Sequence, residues 1–500
     1  QVGAFRELPT DVVKHIPHPP DKTMIAKSLE ELWSDVVGRK KLGASAAIYA
    51  ARSHSPDLVA EQVFSAVEEL YSRHGNFAAQ CLPAAAKRFS HQLNSDLDLL
   101  SRLADAAWKN ADCVSRHKSI FLDVSGLVNA ERITGIERTA QALLNELMSN
   151  PPEGYRCEPC YATKDASHAT ASTFLSADWG VPEGVFFDEP IEPLPGDILL
   201  VLDWQPEIAR AREADFQAIQ KSGAKLGFVV YDMLPALNPE WFPEYVSAAH
   251  ADWLDLIQSA DFTISISRTV AKQLDAVFHT HDSSIASFPH TGWFHLGADL
   301  PVQSRSKLSD WSNLKHLEET NFVLMVGTIE PRKGHAQVID AMEILSSTNK
   351  NMALVVVGKQ GWMVDALVDR LNEYEDTQEA FTWIKDASDD LLQVLYREAS
   401  GLIMASEGEG FGLPIVEAAR FDKPLLVRDI QVFRELCGSN AQYFKVTTGG
   451  KLAPILKRWF SQILDGTAKS SGKIQTLDWH QSGAIIAAML SDSKHPNWIN

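Results

Sequence analysis

Apolar positions change their rhythm near residue 118. Before it they recur at helical spacing: Leu29, Leu32 and Val36, then Val63, Val67 and Leu70, then Leu97, Leu100 and Leu103. This predicts an all-helical region over about residues 21–115, behind a lead-in containing Pro17-His18-Pro19-Pro20. From Ser119 onward, short and nearly continuous apolar runs alternate with helical patterns. The runs at 119–125, 197–202, 226–231 and 262–266 read as strands, and helices are expected through 142–147, 215–221 and 244–257. Strands apolar on both faces belong in a parallel sheet covered on both sides. Residues 300–320 are polar and of mixed charge, as a linker would be, and then the alternation restarts. Strands are expected at 322–327, 353–358, 401–405, 424–427 and 442–444, with helices at 337–345, 391–399 and 415–420.

The expected fold class is therefore α/β, two facing Rossmann-like domains preceded by an all-helical region. The boundaries fall at 1–115, 116–310 and 311–490, with 491–500 as a tail. Five hundred residues exceed what one core usually organises, which agrees with several domains. Lys and Arg number 46 against 65 Asp and Glu, a net charge of −19, so nucleic acid is excluded as a partner. A small phosphorylated ligand is still compatible, because a local cluster of cations can override the global sign.

The five cysteines are scattered and odd in number, which suits a reducing, cytoplasmic setting. Cys157 and Cys160 have the spacing of a redox or zinc pair but lack a matching second pair, so the structural reading is favoured. No run approaches the ~18 apolar residues of a membrane span. The start, Gln1-Val2-Gly3-Ala4, lacks a signal pattern and reads as a processed end or as a piece of a longer protein.

The densest chemistry lies in Glu407-Gly-Glu409-Gly410-Phe411-Gly412-Leu413-Pro414-Ile-Val-Glu417, directly after the strand expected at 401–405. Ligands of open α/β sheets bind at such carboxyl ends. Gly410 and Gly412 permit close backbone approach, and Pro414 suits a helix's first turn. Glu409 and Glu417 are acceptors suited to a ligand rich in hydroxyls. Alternatively Glu417 only complements the helix dipole and Glu409 is solvated. Arg332 and Lys333 follow the strand at 322–327 and are either a diphosphate site or an exposed basic pair. Asp232 ends the run 226–231 and either forms a turn before Pro235 or faces a crevice between the domains. Carboxylates and histidines do not cluster at metal-ligand spacing near these loops, so no metal is expected.

The Glu409-x7-Glu417 spacing around Gly-Phe-Gly-Leu-Pro resembles the donor signature of the family-4 retaining glycosyltransferases, whose fold is GT-B. Val326-Gly327-Thr328-Ile-Glu-Pro-Arg332-Lys333-Gly334, Val357-Gly358-Lys359-Gln-Gly361-Trp362 and the helix carrying Asp389, Leu391 and Tyr396 are similar to the same family. In the first domain, Asp123-Val-Ser, Thr134-Gly135-Ile136-Glu137-Arg138 and Tyr231-Asp232-Met-Leu-Pro235 resemble its bacterial polysaccharide and O-antigen mannosyl- and rhamnosyltransferase branch. The resemblance spans about residues 118–490.

It implies a retaining, metal-independent hexosyltransferase that moves mannose or a deoxyhexose from a nucleoside-diphosphate sugar to a glycan or lipid-linked glycan acceptor. GDP is the favoured nucleotide, and no separate cofactor is implied. Lys333 and Arg332 would bind the diphosphate, Glu409 would lie near the donor sugar, and Glu417 would hold the ribose. Gly327, Gly410, Phe411, Gly412 and Leu413 would line the donor site, with Gly135 facing the phosphates from the other domain. Asp232 would contact the acceptor or the reacting sugar. Thr328 stands where many relatives carry Arg, which shifts the expected phosphate contact to Arg332. The helical region outside the resemblance is expected to serve assembly, docking at the inner membrane or acceptor handling. The alternatives are a non-catalytic sugar-nucleotide-binding scaffold and a sugar-nucleotide epimerase on the same fold.

Overall fold

A computed structural model describes residues 8–16, 21–53, 55, 63, 65, 117–129, 135–178, 187–281, 288–299, 314, 317, 320–346, 352–378 and 380–499. The chain divides into two compact units, Gln1–His117 and Lys118–Asn500. In the first, helices α1 (Lys22–Ser34) and α2 (Val36–Ser53) match the expected helical pattern. Asp21 caps α1 by accepting from the Met24 amide at 2.7 Å. The helical patterns at 66–70 and 97–103 and the Pro17–Pro20 lead-in lie outside the described residues. Among the described residues no helix is long and apolar enough to cross a membrane.

The second unit holds two sheets. The first has seven strands: β1 (Lys118–Asp123), β2 (Tyr155–Tyr161), β3 (Ala169–Thr170), β4 (Ile198–Val201), β5 (Lys225–Val230), β6 (Phe262–Ser265) and β7 (His290–Trp293). Their order is β3-β2-β1-β4-β5-β6-β7, parallel throughout except for the β2–β3 pair. The second has six: β8 (Phe322–Val326), β9 (Ala353–Val357), β10 (Phe381–Ile384), β11 (Gly401–Met404), β12 (Leu425–Arg428) and β13 (Gln442–Phe444). Their order is β10-β9-β8-β11-β12-β13, and every pair is parallel. β4, β9 and β11 are buried at every position, the physical consequence of helices covering both faces.

Seven helices position the site: α3 (Gly135–Ser149), α4 (Arg268–His281), α5 (His335–Ser346), α6 (Asp389–Glu398), α7 (Leu413–Ala419), α8 (Gln431–Cys437) and α9 (Trp479–Ser491). In α3, Ala140, Leu143, Leu144 and Leu147 fall on one buried face, and this face anchors the helix to the first sheet's core. Ser388 caps α6 by accepting from Leu391 N, and Leu391, Leu392, Leu395 and Tyr396 are buried behind it. α9 returns across the unit to α3, so closely that a Cβ on Gly483 would sit 2.3 Å from Glu146 Cγ. Residues 491–499, within the segment set apart as a tail at 491–500, are tied back to the first sheet. Trp293 N donates to Asn497 O at 3.1 Å and Ile499 N to Thr291 O at 2.9 Å, which lays this segment along β7.

Candidate active site where the two sheets face each other

The loops after β8 and β11 are joined at their base. Glu407 N donates to the Arg332 carbonyl at 2.7 Å, which holds the short Pro331–Lys333 turn beside the glycine-rich loop. Lys333 Nζ then reaches Glu409 Oε1 at 2.6 Å and Arg332 Nη1 reaches Glu409 Oε2 at 3.1 Å. Arg332 also donates from Nη1 to Gly408 O at 2.9 Å and pairs through Nη2 with Glu330 at 2.9 Å. Arg332 is only 8% exposed, so it is not a solvated surface cation, and Glu409 is not a solvated carboxylate. Burial works against Glu409's charge, yet Lys333 and Arg332 hold its carboxyl at about 2. Burial pushes the Glu330 carboxyl up, against the pull of Arg332 and Lys333. Two cations thus meet two carboxylates, with Arg332 and Glu330 buried and Lys333 and Glu409 partly so.

The first sheet closes on this cluster from the opposite side. Ser267 Oγ donates to the Gly410 carbonyl at 2.7 Å. A Cβ at Gly410 would lie 1.9 Å from the Tyr231 carbonyl, so a glycine is required where the two halves touch. Asp232, next after Tyr231, accepts from Leu234 N at 3.0 Å and so does form the turn. Its charge also acts on Arg332 and Glu330, which places it at the same cluster. Trp362 Nε1 donates to Trp241 O at 2.9 Å, and the Arg332 guanidinium lies 5.9 Å from the Phe242 ring centre.

Gly412 adopts φ +112° as it enters α7, a left-handed conformation suited to glycine, and Pro414 follows in the first turn. Phe411 is buried, its ring 5.4 Å from that of His295, and Leu413 is half-buried. Gly327, at the end of β8, lies beside Lys333: a Cβ there would be 3.8 Å from Nζ. Thr328 is exposed on the same loop. Gly135 opens α3 with free space where a Cβ would stand.

Glu417 is 5% exposed and accepts from the Tyr396 hydroxyl at 2.6 Å through Oε2. Burial raises its carboxyl above the ordinary range, against the pull of Arg138 and Tyr396. Arg138 belongs to α3 of the first half, and its Nη2 lies 3.1 Å from Asp389 Oδ1 in the second.

Two further features lie at the same junction, and of them only His335 carried no sequence signal, since Val432-Phe-Arg-Glu435 also resembles the family. His335 opens α5 beside Lys333 and is 2% exposed, and neither ring nitrogen has a hydrogen-bond partner among the described residues. Burial, then Lys333, pulls its imidazole down to about 3, so it is neutral. Glu435 of α8 crosses to α4: Oε1 accepts from Arg268 N at 2.8 Å, and Oε2 accepts from Thr269 N at 2.8 Å and Thr269 Oγ1 at 2.6 Å. His295 Nε2 lies 2.7 Å from Glu435 Oε1, completing this tie between the halves.

Cys157 and Cys160 lie on β2, where burial, then Glu158, pushes the Cys157 thiol up to about 12, which leaves it protonated. Among the described residues no group of three or more His, Cys, Asp or Glu side chains could hold a metal ion.

Residues 310–457 match the family described as "Glycosyl transferases group 1". The serotype-specific mannosyltransferase WbdA of Escherichia coli is 30% identical over 479 residues, which is 94% of this chain and 58% of the relative. The O-antigen chain mannosyltransferase RfbU of Salmonella typhimurium is 25% identical over 177 residues, 35% of this chain and 49% of that protein. The chain spans little more than half the length of the relatives it matches along most of its sequence. Among solved structures, Anabaena Alr3699/HepE in complex with UDP and glucose superposes with a TM-score of 0.54 at 19% identity, covering 75% of this chain and 100% of that one. Sucrose-phosphate synthase from Thermosynechococcus elongatus gives 0.50 at 14% identity, covering 75% and 98%. The two-sheet architecture is the GT-B fold shared with these neighbours.

Proposed function

We propose that this chain transfers a hexose, mannose in the favoured case, from a nucleoside-diphosphate sugar to a glycan or lipid-linked glycan acceptor, a reading that the match of residues 310–457 to glycosyl transferases group 1 supports. The observation that carries the reading is the largely enclosed set Lys333, Arg332 and Glu409, assembled from two loops of the second sheet and met by Asp232 from the first. Cations held ready where a diphosphate would leave stabilise the charge that develops as the donor bond breaks. Glu409 binds the donor sugar, Glu417 with Tyr396 forms the ribose end of the site, and Asp232 faces the reacting sugar or the acceptor.

The proposed reaction retains the anomeric configuration. The bond from the sugar's anomeric carbon to the diphosphate oxygen breaks, and the acceptor hydroxyl bonds to that carbon on the same face. The hydroxyl proton passes to a diphosphate oxygen, so neither a strong protein base nor a metal is needed. GDP is the proposed nucleotide, from the likeness of the first-half motifs to mannosyl- and rhamnosyltransferases and from the mannosyltransferase relatives. UDP, bound in the Anabaena neighbour, is the competing base. Every residue of the proposed site comes from Lys118–Asn500, and residues before it are proposed to serve assembly or acceptor handling.

A thermal-shift panel of GDP-, UDP-, ADP- and dTDP-sugars tests the reading. A ligand at ~100 times its dissociation constant adds about 2.7 kcal/mol of apparent stability, and the account expects this for GDP-mannose first. No response to any nucleotide sugar would remove it.

A further inference from the structure

The cations assigned to the diphosphate are already matched within the protein. Lys333 lies on Glu409, and Arg332 lies between Glu409 and Glu330, so these four side chains sum to zero charge. In a chain of net charge −19, a diphosphate reaching such a site needs a further cation. One stands on the first half. Arg138 lies in the first turn of α3, and its Nη2 is 3.1 Å from Asp389 Oδ1 at the start of α6. Its charge also reaches Glu417 and Tyr396, the proposed ribose pair.

Three properties set Arg138 apart from an ordinary surface bridge. The helix that carries it is packed on the first sheet's core, while Asp389, Glu417 and Tyr396, on which its charge acts, belong to the second half. Its guanidinium is about one-third exposed, and so is Asp389, which leaves it accessible to a ligand and makes the pair weak and exchangeable. A guanidinium also binds phosphate oxygens in a two-pronged geometry that one partly solvated carboxylate cannot match in charge.

We propose that Arg138 is a donor-binding residue supplied by the acceptor half, which leaves Asp389 for the nucleoside diphosphate. This rests on the donor-site reading above and adds to it a contact from the opposite domain. Asp389 then acts as the holding partner in the unliganded protein. One consequence follows: Arg138 discriminates the diphosphate from the bare nucleoside.

Calorimetric titration of GDP, UDP, guanosine and uridine tests this, using the full chain and the variants Arg138→Gln, Arg138→Lys and Asp389→Asn. Melting curves confirm that each variant is folded. Losing one charge-assisted contact is expected to weaken diphosphate binding roughly ten- to a hundredfold in Arg138→Gln, with Lys intermediate. Nucleoside affinity should not change. Asp389→Asn should bind the diphosphate as tightly as the parent or more tightly, because Arg138 is then released in advance. Equal diphosphate affinity in Arg138→Gln and parent would overturn the proposal, as would an equal loss in Arg138→Gln and Asp389→Asn, which would make the pair a structural strap. Failure of the parent to bind any nucleoside diphosphate would count against the donor site itself and is separable from these results.

Discussion

Replacing Glu409 by Gln removes one negative charge from between two cations while keeping the side chain's size. In the parent the carboxylate accepts from Lys333 at 2.6 Å and Arg332 at 3.1 Å and is 9% exposed. A carboxyl held at about 2 rather than the ordinary 4.5 corresponds to roughly 3 kcal/mol favouring its charged, folded form. Breaking a buried pair from one side costs about 3–5 kcal/mol, so the two figures agree. Glu409→Gln should therefore lose about 3 kcal/mol and melt on the order of 5 °C lower near pH 7. The folded-state value is depressed, so this contribution is fully present above about pH 4.5 and disappears as pH falls toward 2. The gap between parent and variant should narrow over that window.

The second consequence has the opposite sign. Lys333 and Arg332, released from Glu409, should bind a diphosphate more tightly, so GDP should raise the variant's melting temperature by more than it raises the parent's. Turnover should still fall, because the proposed contact to the donor sugar is gone. The assay is differential scanning fluorimetry from pH 7 to about pH 2, with and without GDP, alongside donor turnover. A variant as stable as the parent, or one less responsive to GDP, would refute the charge arrangement on which the site rests.

Lys333→Ala should lower kcat by about 10²–10³, since its charge matters most as the diphosphate leaves; steady-state kinetics at saturating donor will check this. Glu417→Ala should mainly weaken binding of nucleotide and nucleotide sugar alike, by about 1.5–3 kcal/mol, measured as the dissociation constant of free GDP. An unchanged affinity with abolished kcat would move Glu417 from ribose binding to the chemistry. His335 is buried and neutral in the folded chain, held at about 3, whereas in the unfolded chain it takes a proton near 6.5. Below about pH 6.5 the unfolded state binds the extra proton, so folding loses about 1.4 kcal/mol per pH unit toward pH 3. His335→Gln should flatten this acid slope in denaturant titrations; an unchanged slope would show that His335 is charged or exposed in the folded protein.

The parts of the fold visible in the sequence are those whose burial is one-sided in cause. β4, β5, β8, β9 and β11 lie inside their sheets, and residues that must be apolar on both faces read as continuous runs. β2, β7 and β10 were not legible. β2 carries Arg156, Glu158 and Pro159 beside the two-residue β3, while β7 and β10 are edge strands of four residues each. Edges are covered on fewer sides, so polar residues interrupt the pattern. The glycine-rich loop was legible because its demands are local: Gly412 needs a left-handed backbone and Pro414 a helix start.

Contacts made at long range were not legible. The Arg332–Glu409 pair joins residues 77 apart in the chain. Nothing near Arg138 foretells that docking of the two halves brings it to Asp389, or near Ser267 that it meets the Gly410 carbonyl.

The central claim is that the crevice between the two sheets moves a hexose from a nucleotide sugar without a metal and with retention. Its most direct test incubates the purified chain with GDP-mannose and a mannose-terminated oligosaccharide in the presence of chelator, and reads the new linkage by proton NMR. The account predicts an α-linked product from the α-linked donor, formed at an unchanged rate in chelator and lost in Lys333→Ala. A β-linked product, or turnover that appears only when magnesium or manganese is restored, would contradict it.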